Sequence, residues 1–268
     1  MRLRLQVAYD GRRFHGFAAQ AVGVRTVAGV LAGALGKVLR LDSPPALTCA
    51  GRTDAGVHAW DQWLHADLRP GGPVDLAGLQ RRLLKLLAPE VVVRGVGLAP
   101  QGWDARHTAL SRTYRYTVLT TAVPDPFRAG FVWWRPGPLD VRAMQLACDA
   151  VVGEHDFSSF CRSQVRGGVA GAEVGESDRV PASLVRRVMD AGWREAEPGV
   201  LRFEVRANAF CQQMVRSLVG TLVEVGAGRR RAGEMLSVIR ARDRAAAGTV
   251  APPDGLVLWQ VAYPPSAG

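Results

Sequence analysis

Apolar residues recur at every second position over residues 3–9 and then at every third or fourth over residues 26–40, and this switch of period repeats along the chain. A period of two belongs to a half-buried strand and a period near 3.6 to an amphipathic helix. Leu3, Leu5 and Val7 lie on one face of the first strand. Val27, Leu31, Ala34, Leu35 and Val38 form the apolar stripe of the first helix, with Thr26 placed to cap it. Strands near 47–50 and 60–68, a helix over 76–88 capped by Asp75 and ended by Pro89, and a strand over 91–98 complete a first unit. The order then recurs loosely. Strands are expected over 111–121, 184–193, 200–207 and 256–263, and helices over 140–152, 209–225 and 232–242. A Gly-rich polar stretch at 163–180 reads as a surface loop and 264–268 as a loose tail. Strands interleaved with helices in this way predict an α+β fold, a sheet with helices on one face.

The 34 Lys+Arg against 24 Asp+Glu leave a net charge of +10. Such an excess attracts polyanions at long range and points to nucleic acid. Only Lys37 and Lys85 are lysines, a preference that reflects GC-rich coding as much as function. No apolar run approaches the roughly twenty residues a bilayer crossing needs, and residues 1–7 do not resemble a signal peptide. No membrane association and a cytoplasmic location are therefore expected. Cys49, Cys148, Cys161 and Cys211 share no short spacing and are expected as reduced thiols. His15, His58, His65, His107 and His155 make no pair at helical ligand spacing, so no metal site is expected.

The segment Ala50-Gly51-Arg52-Thr53-Asp54-Ala55-Gly56-Val57-His58-Ala59 carries the chemistry. An apolar strand ends in a turn punctuated by Gly51 and Gly56, and one arginine and one carboxylate follow. Such a turn can hold Asp54 out into a cleft. An aspartate in a Thr-Asp-x-Gly turn often only bonds its own backbone. Two further readings are weighed against a catalytic one. A non-catalytic structured-RNA-binding protein needs the charge and the aromatics but not Asp54. A metal-dependent phosphatase or nuclease needs clustered carboxylates, and only Asp61 and Asp67 lie near, poorly spaced.

The ten-residue segment resembles, almost letter for letter, the active-site loop of the tRNA pseudouridine synthase A family. Four other stretches are similar to that family: residues 9–20, Arg112-Thr113-Tyr114-Arg115-Tyr116, residues 153–160, and residues 207–220. Phe17 stands where the family more usually has tryptophan. The resemblance implies two ferredoxin-like α/β halves, 1–108 and 109–268, forming one extended mixed or antiparallel sheet around a central basic cleft. It implies an isomerase that converts uridine to pseudouridine at positions 38–40 in the tRNA anticodon arm, acting as a homodimer without cofactor. It makes Asp54 the catalytic residue. Tyr114 becomes the ring that stacks on the target base in an open cleft, and Arg216 the basic residue that pairs with Asp54. Arg52 is then a contact to RNA phosphate or an aid to extruding the nucleotide. Tyr116 stays in the core.

Overall fold

The structure is a computed structural model and describes residues 1–69, 72–162 and 183–265; the 163–180 stretch lies outside the described residues. Its strands are β1 (Arg2–Tyr9), β2 (Thr48–Cys49), β3 (His58–Asp67), β4 (Val91–Leu98), β5 (Ser111–Leu119), β6 (Trp133–Trp134), β7 (Gly153–Asp156), β8 (Val185–Glu197), β9 (Val200–Ala207) and β10 (Leu256–Ala262). Its α-helices are α1 (Val27–Leu39), α2 (Leu76–Leu87), α3 (Val141–Asp149), α4 (Met214–Gly226) and α5 (Glu234–Ala241). The ten strands among the described residues join one sheet in the order β4-β1-β3-β10-β5-β9-β8-β7, with β2 added to β3 and β6 to β5. β10 runs parallel to β3 and β6 parallel to β5, while the other pairs are antiparallel. The α+β class and the single mixed sheet agree with the sequence reading.

Local signals set the helix starts. The Thr26 hydroxyl accepts from the Gly29 N–H, Asp75 from Gly78 and Asp140 from Ala143, each satisfying a donor the helix leaves free. α2 packs on β4 and α1, and α3 on α4 and β8. The alternating residues Leu3, Leu5 and Val7 of β1 are fully buried. With Leu31, Leu35, Leu64, Leu79 and Leu83 they enter one continuous core that also holds Tyr116, Phe157, Phe160 and Phe203. Each such side chain contributes about 1.5–3 kcal/mol by leaving water.

The last strand enters the middle of the sheet. β10 pairs with β3 at only two positions, Val257 with His58 and Leu258 with Ala59. Beyond them the two strands part, and the Asp61 carboxylate accepts the Val261 N–H at 3.0 Å in place of a ladder bond. The Tyr263 hydroxyl donates to the Ala105 carbonyl at 2.6 Å and closes the same seam.

Three expectations change. The helix expected from residue 209 begins only at Met214, because the Asn208 side chain accepts from the N–H groups of Arg187 and Ala209 and so competes with helical pairing. Gln213 then takes a left-handed conformation, φ 65°, at the helix entry. Residues 153–156 lie in the stretch 153–160, whose family resemblance is to a turn at a helix end, and instead form β7 at the sheet edge. Cys161 and Cys211, expected as free thiols, are joined in a disulfide with their Cα atoms 5.6 Å apart, a separation such a bond requires. Sequence spacing could not reveal it, since fifty residues separate the two. Cys49 and Cys148 are free and buried.

Candidate active site

The 50–57 loop leaves β2 and is fixed almost residue by residue. The Ala50 N–H donates to the Trp63 carbonyl at 2.8 Å, and the Gly51 carbonyl accepts from the Gln62 side-chain amide at 2.7 Å. Thr53 is buried, its hydroxyl 2.8 Å from that of Tyr9, and its carbonyl accepts the Phe17 N–H. The Gly56 N–H donates to Phe14 and the Val57 N–H to the Asp54 carbonyl. Gly56 has φ 78°, and a Cβ there would lie 2.8 Å from Pro253, so both backbone angle and space demand glycine. The stretch 9–17 thus serves as a brace behind the loop. His58 belongs to the same brace. Burial lowers its pKa, so the ring is neutral: Nδ1 accepts the Gly11 N–H and Nε2 donates to the Gly130 carbonyl.

Asp54 faces the entry of α4. An Arg216 guanidinium nitrogen lies 3.8 Å from its carboxylate, with both side chains only partly exposed. Arg216 is aimed by a second contact, its Nε donating to the Ala251 carbonyl at 2.7 Å. Burial pushes the Asp54 pKa above the usual carboxylate range. Arg216 opposes this most strongly, followed by the Gln212 side chain, Arg162 and the Gln213 N–H. The carboxylate therefore pairs with one cation, lies in the field of a second, and sits at the N-terminal end of a helix, where the backbone dipole also favours negative charge. Arg162 and Gln212 were not foreseen from the sequence. Gln212 lies in a stretch expected to be helical, and Arg162 follows a motif with no periodic signal. The Arg162 N–H donates to the Gln212 carbonyl, which ties these two residues together beside the disulfide.

Tyr114 lies under the same loop. Its hydroxyl would be 4.0 Å from a Cβ on Gly51, and its ring meets the edge of Phe210 with centroids 5.0 Å apart. The ring is 7% exposed, not in an open cleft as expected. Phe210, on the irregular entry to α4, covers it. Tyr116 is fully buried, with its hydroxyl donating to the Pro252 carbonyl, as a core residue should.

Residues 147–264 match a family model described as tRNA pseudouridine synthase. Curated relatives match over nearly the whole chain. The tRNA pseudouridine synthase A of Leifsonia xyli subsp. xyli is 41% identical over 99% of this chain and 93% of its own length. That of Frankia casuarinae is 43% identical over 99% of this chain and 90% of its own, and that of Halalkalibacterium halodurans 40% identical over 96% and 90%. The chain belongs to the tRNA pseudouridine synthase A family.

In this family member Arg52 is exposed, and among the described residues it makes no ion pair with Asp54. The other nearby carboxylates are committed elsewhere: Asp61 to Gln6 and Val261, and Asp67 to Arg2. Among the described residues no three His, Cys, Asp or Glu side chains are grouped as metal ligands would be, and no helix is long and apolar enough to cross a membrane.

Proposed function

We propose that this enzyme isomerises uridine to pseudouridine at positions 38–40 of the tRNA anticodon arm, with Asp54 as its catalytic carboxylate. The single observation that carries the reading is the Asp54–Arg216 pair, built from two distant parts of the chain and half-buried at the sheet seam. The reaction breaks the N-glycosidic bond, turns the uracil and joins it to the sugar through C5. Substrate and product contain the same atoms, so no external oxidant or group donor is called for. One carboxylate suffices, as a nucleophile or as a base toward the ribose. Arg216 keeps Asp54 ionised despite its burial and aims it.

The target nucleotide must leave its stack, which costs a few kcal/mol. Tyr114 offsets this by stacking on the flipped base once Phe210 gives way, and Arg52, exposed at the loop surface, meets backbone phosphate. The halves 1–108 and 109–268 grip the arm from either side, and the chain works as a cytoplasmic homodimer.

The deciding experiment uses tRNA transcripts labelled with tritium at uracil C5, since joining through C5 sends that hydrogen to water. Asp54→Asn should abolish release while tRNA binding stays within a few-fold, because phosphate contacts position the RNA. Substantial turnover by Asp54→Asn would sink the assignment. Transcripts lacking uridine at 38, 39 and 40 should give no release, and release from them would refute the site.

A further inference from the structure

Arg112 is the second residue of β5, two before Tyr114, and is 8% exposed. A guanidinium carries five N–H donors in a rigid plane. Here all five are used, and every acceptor is a backbone carbonyl. Nε and one terminal nitrogen donate to Ala50 at 3.1 and 2.8 Å, and that same nitrogen donates to Arg106 at 2.7 Å. The other terminal nitrogen donates to Ala109 at 3.2 Å and to Asn208 at 2.7 Å. Among the described residues no carboxylate pairs with it. A buried cation without a counter-charge is costly, and an apolar side chain of similar volume would avoid that cost. What an apolar side chain could not do is gather four carbonyls from three separate segments.

Those segments are the ones that compose the site. Ala50 is the base of the loop that carries Asp54. Arg106 and Ala109 lie in the connection between β4 and β5. Asn208 follows β9 and begins the irregular entry to α4, which carries Gln212 and leads into the first turn of α4 with Arg216. The Asp54 loop and the entry to α4 thus meet at one planar fork.

We propose that Arg112 is a positioning residue for the isomerisation: its guanidinium sets the separation between the Asp54 loop and the entry to α4, and with it the pairing of Asp54 with Arg216. This rests on the reading of Asp54 as the reacting carboxylate. Lysine cannot replace it, because one ammonium offers three donors at a point and not five in a plane. Displacement of a reacting group by about 1 Å can cost on the order of 10²-fold in rate, so the fork acts on turnover more than on RNA capture.

The test compares Arg112→Ala and Arg112→Lys with the unaltered chain in three measurements: melting temperature, tRNA affinity, and single-turnover tritium release well below the lowest melting point. Arg112→Ala should release tritium about 10²-fold more slowly with tRNA affinity within a few-fold. Millimolar guanidinium, filling the vacated fork, should restore at least tenfold of that rate, while methylammonium or KCl at equal ionic strength should not. A purely structural role predicts no such rescue. Arg112→Lys, which keeps the charge, should fold and still lose at least tenfold.

An Arg112→Lys protein that is folded and turns over within threefold of the unaltered chain overturns the proposal. So does an Arg112→Ala loss that guanidinium leaves untouched. If Arg112→Ala does not fold, the lysine variant decides alone. Asp54→Asn is run beside them. Turnover by that variant refutes the catalytic reading, whereas an inactive Asp54→Asn with a normal Arg112→Lys refutes only the fork.

Discussion

Replacing Tyr114 separates two functions that its position combines. The ring is 7% exposed and packs edge-on against Phe210 at 5.0 Å. Cutting a buried aromatic to alanine costs about 3–5 kcal/mol. An edge-to-face pair supplies about 0.5–1.5 kcal/mol of such a figure. Phe210 is itself half-buried and can settle into the space, so Tyr114→Ala should sit at the low end, about 3 kcal/mol. At about 2–4 °C per kcal/mol for a chain near this size, its melting temperature should fall by roughly 6–12 °C. The hydroxyl makes no hydrogen bond to a protein group among the described residues, so Tyr114→Phe should stay within about 0.5 kcal/mol. If the ring also stacks on the extruded uracil, Tyr114→Ala should weaken productive tRNA binding by about 1–3 kcal/mol, and Tyr114→Phe should bind normally. The assay is thermal melting by circular dichroism paired with tritium release per folded molecule. An unchanged melting temperature for Tyr114→Ala would refute the packing argument. Normal release per folded molecule would refute the stacking.

Other outcomes follow from the same site. Because burial raises the Asp54 pKa and Arg216 opposes it most, Arg216→Met should move the acid limb of kcat/KM to higher pH; an unmoved limb would mean that the pair does not govern ionisation. A carboxyl whose folded pKa is raised stabilises the fold below its unfolded pKa and loses that contribution as pH rises through the folded value. At neutral pH the Asp54 carboxylate is therefore a cost, and Asp54→Asn should melt no lower than the parent at pH 7, with a clear drop there counting against the sign. With a net charge of +10, tRNA affinity should fall steeply with KCl in filter binding, about 0.7–0.9 in log–log slope per neutralised phosphate; a flat dependence would exclude an extended basic contact. The Cys161–Cys211 link closes a loop of 50 residues. Its removal by Cys161→Ser with Cys211→Ser should cost up to about 4 kcal/mol in urea unfolding under non-reducing conditions, and a midpoint unmoved from the parent's would refute a stabilising cross-link.

Much of this was legible from local pattern. Thr26 and Asp75 announced two helices because a cap needs only its own side chain and an N–H three residues on. The buried alternation of β1 followed from period alone. The residues around Asp54 were marked by a motif whose glycines and threonine do serve the loop's geometry, Gly56 by its angle and Thr53 by its bond to Tyr9. The helix start at residue 209 failed because Asn208 bonds to Arg187, a partner on a neighbouring strand that helical periodicity cannot see.

The sequence by itself determined the class of fold, the charge and the identity of the loop that bears Asp54, since each depends on residues close together in the chain. Only the tertiary structure decided what faces that loop. It inserted β10 beside β3, set Gln212 beside the Arg216 that the family resemblance had already paired with Asp54, closed Phe210 over Tyr114, joined Cys161 to Cys211, and gathered four carbonyls around Arg112. The physical reason is range: caps and periodicity act over about four residues, whereas Asp54 meets Arg216 only after the whole sheet between them has formed.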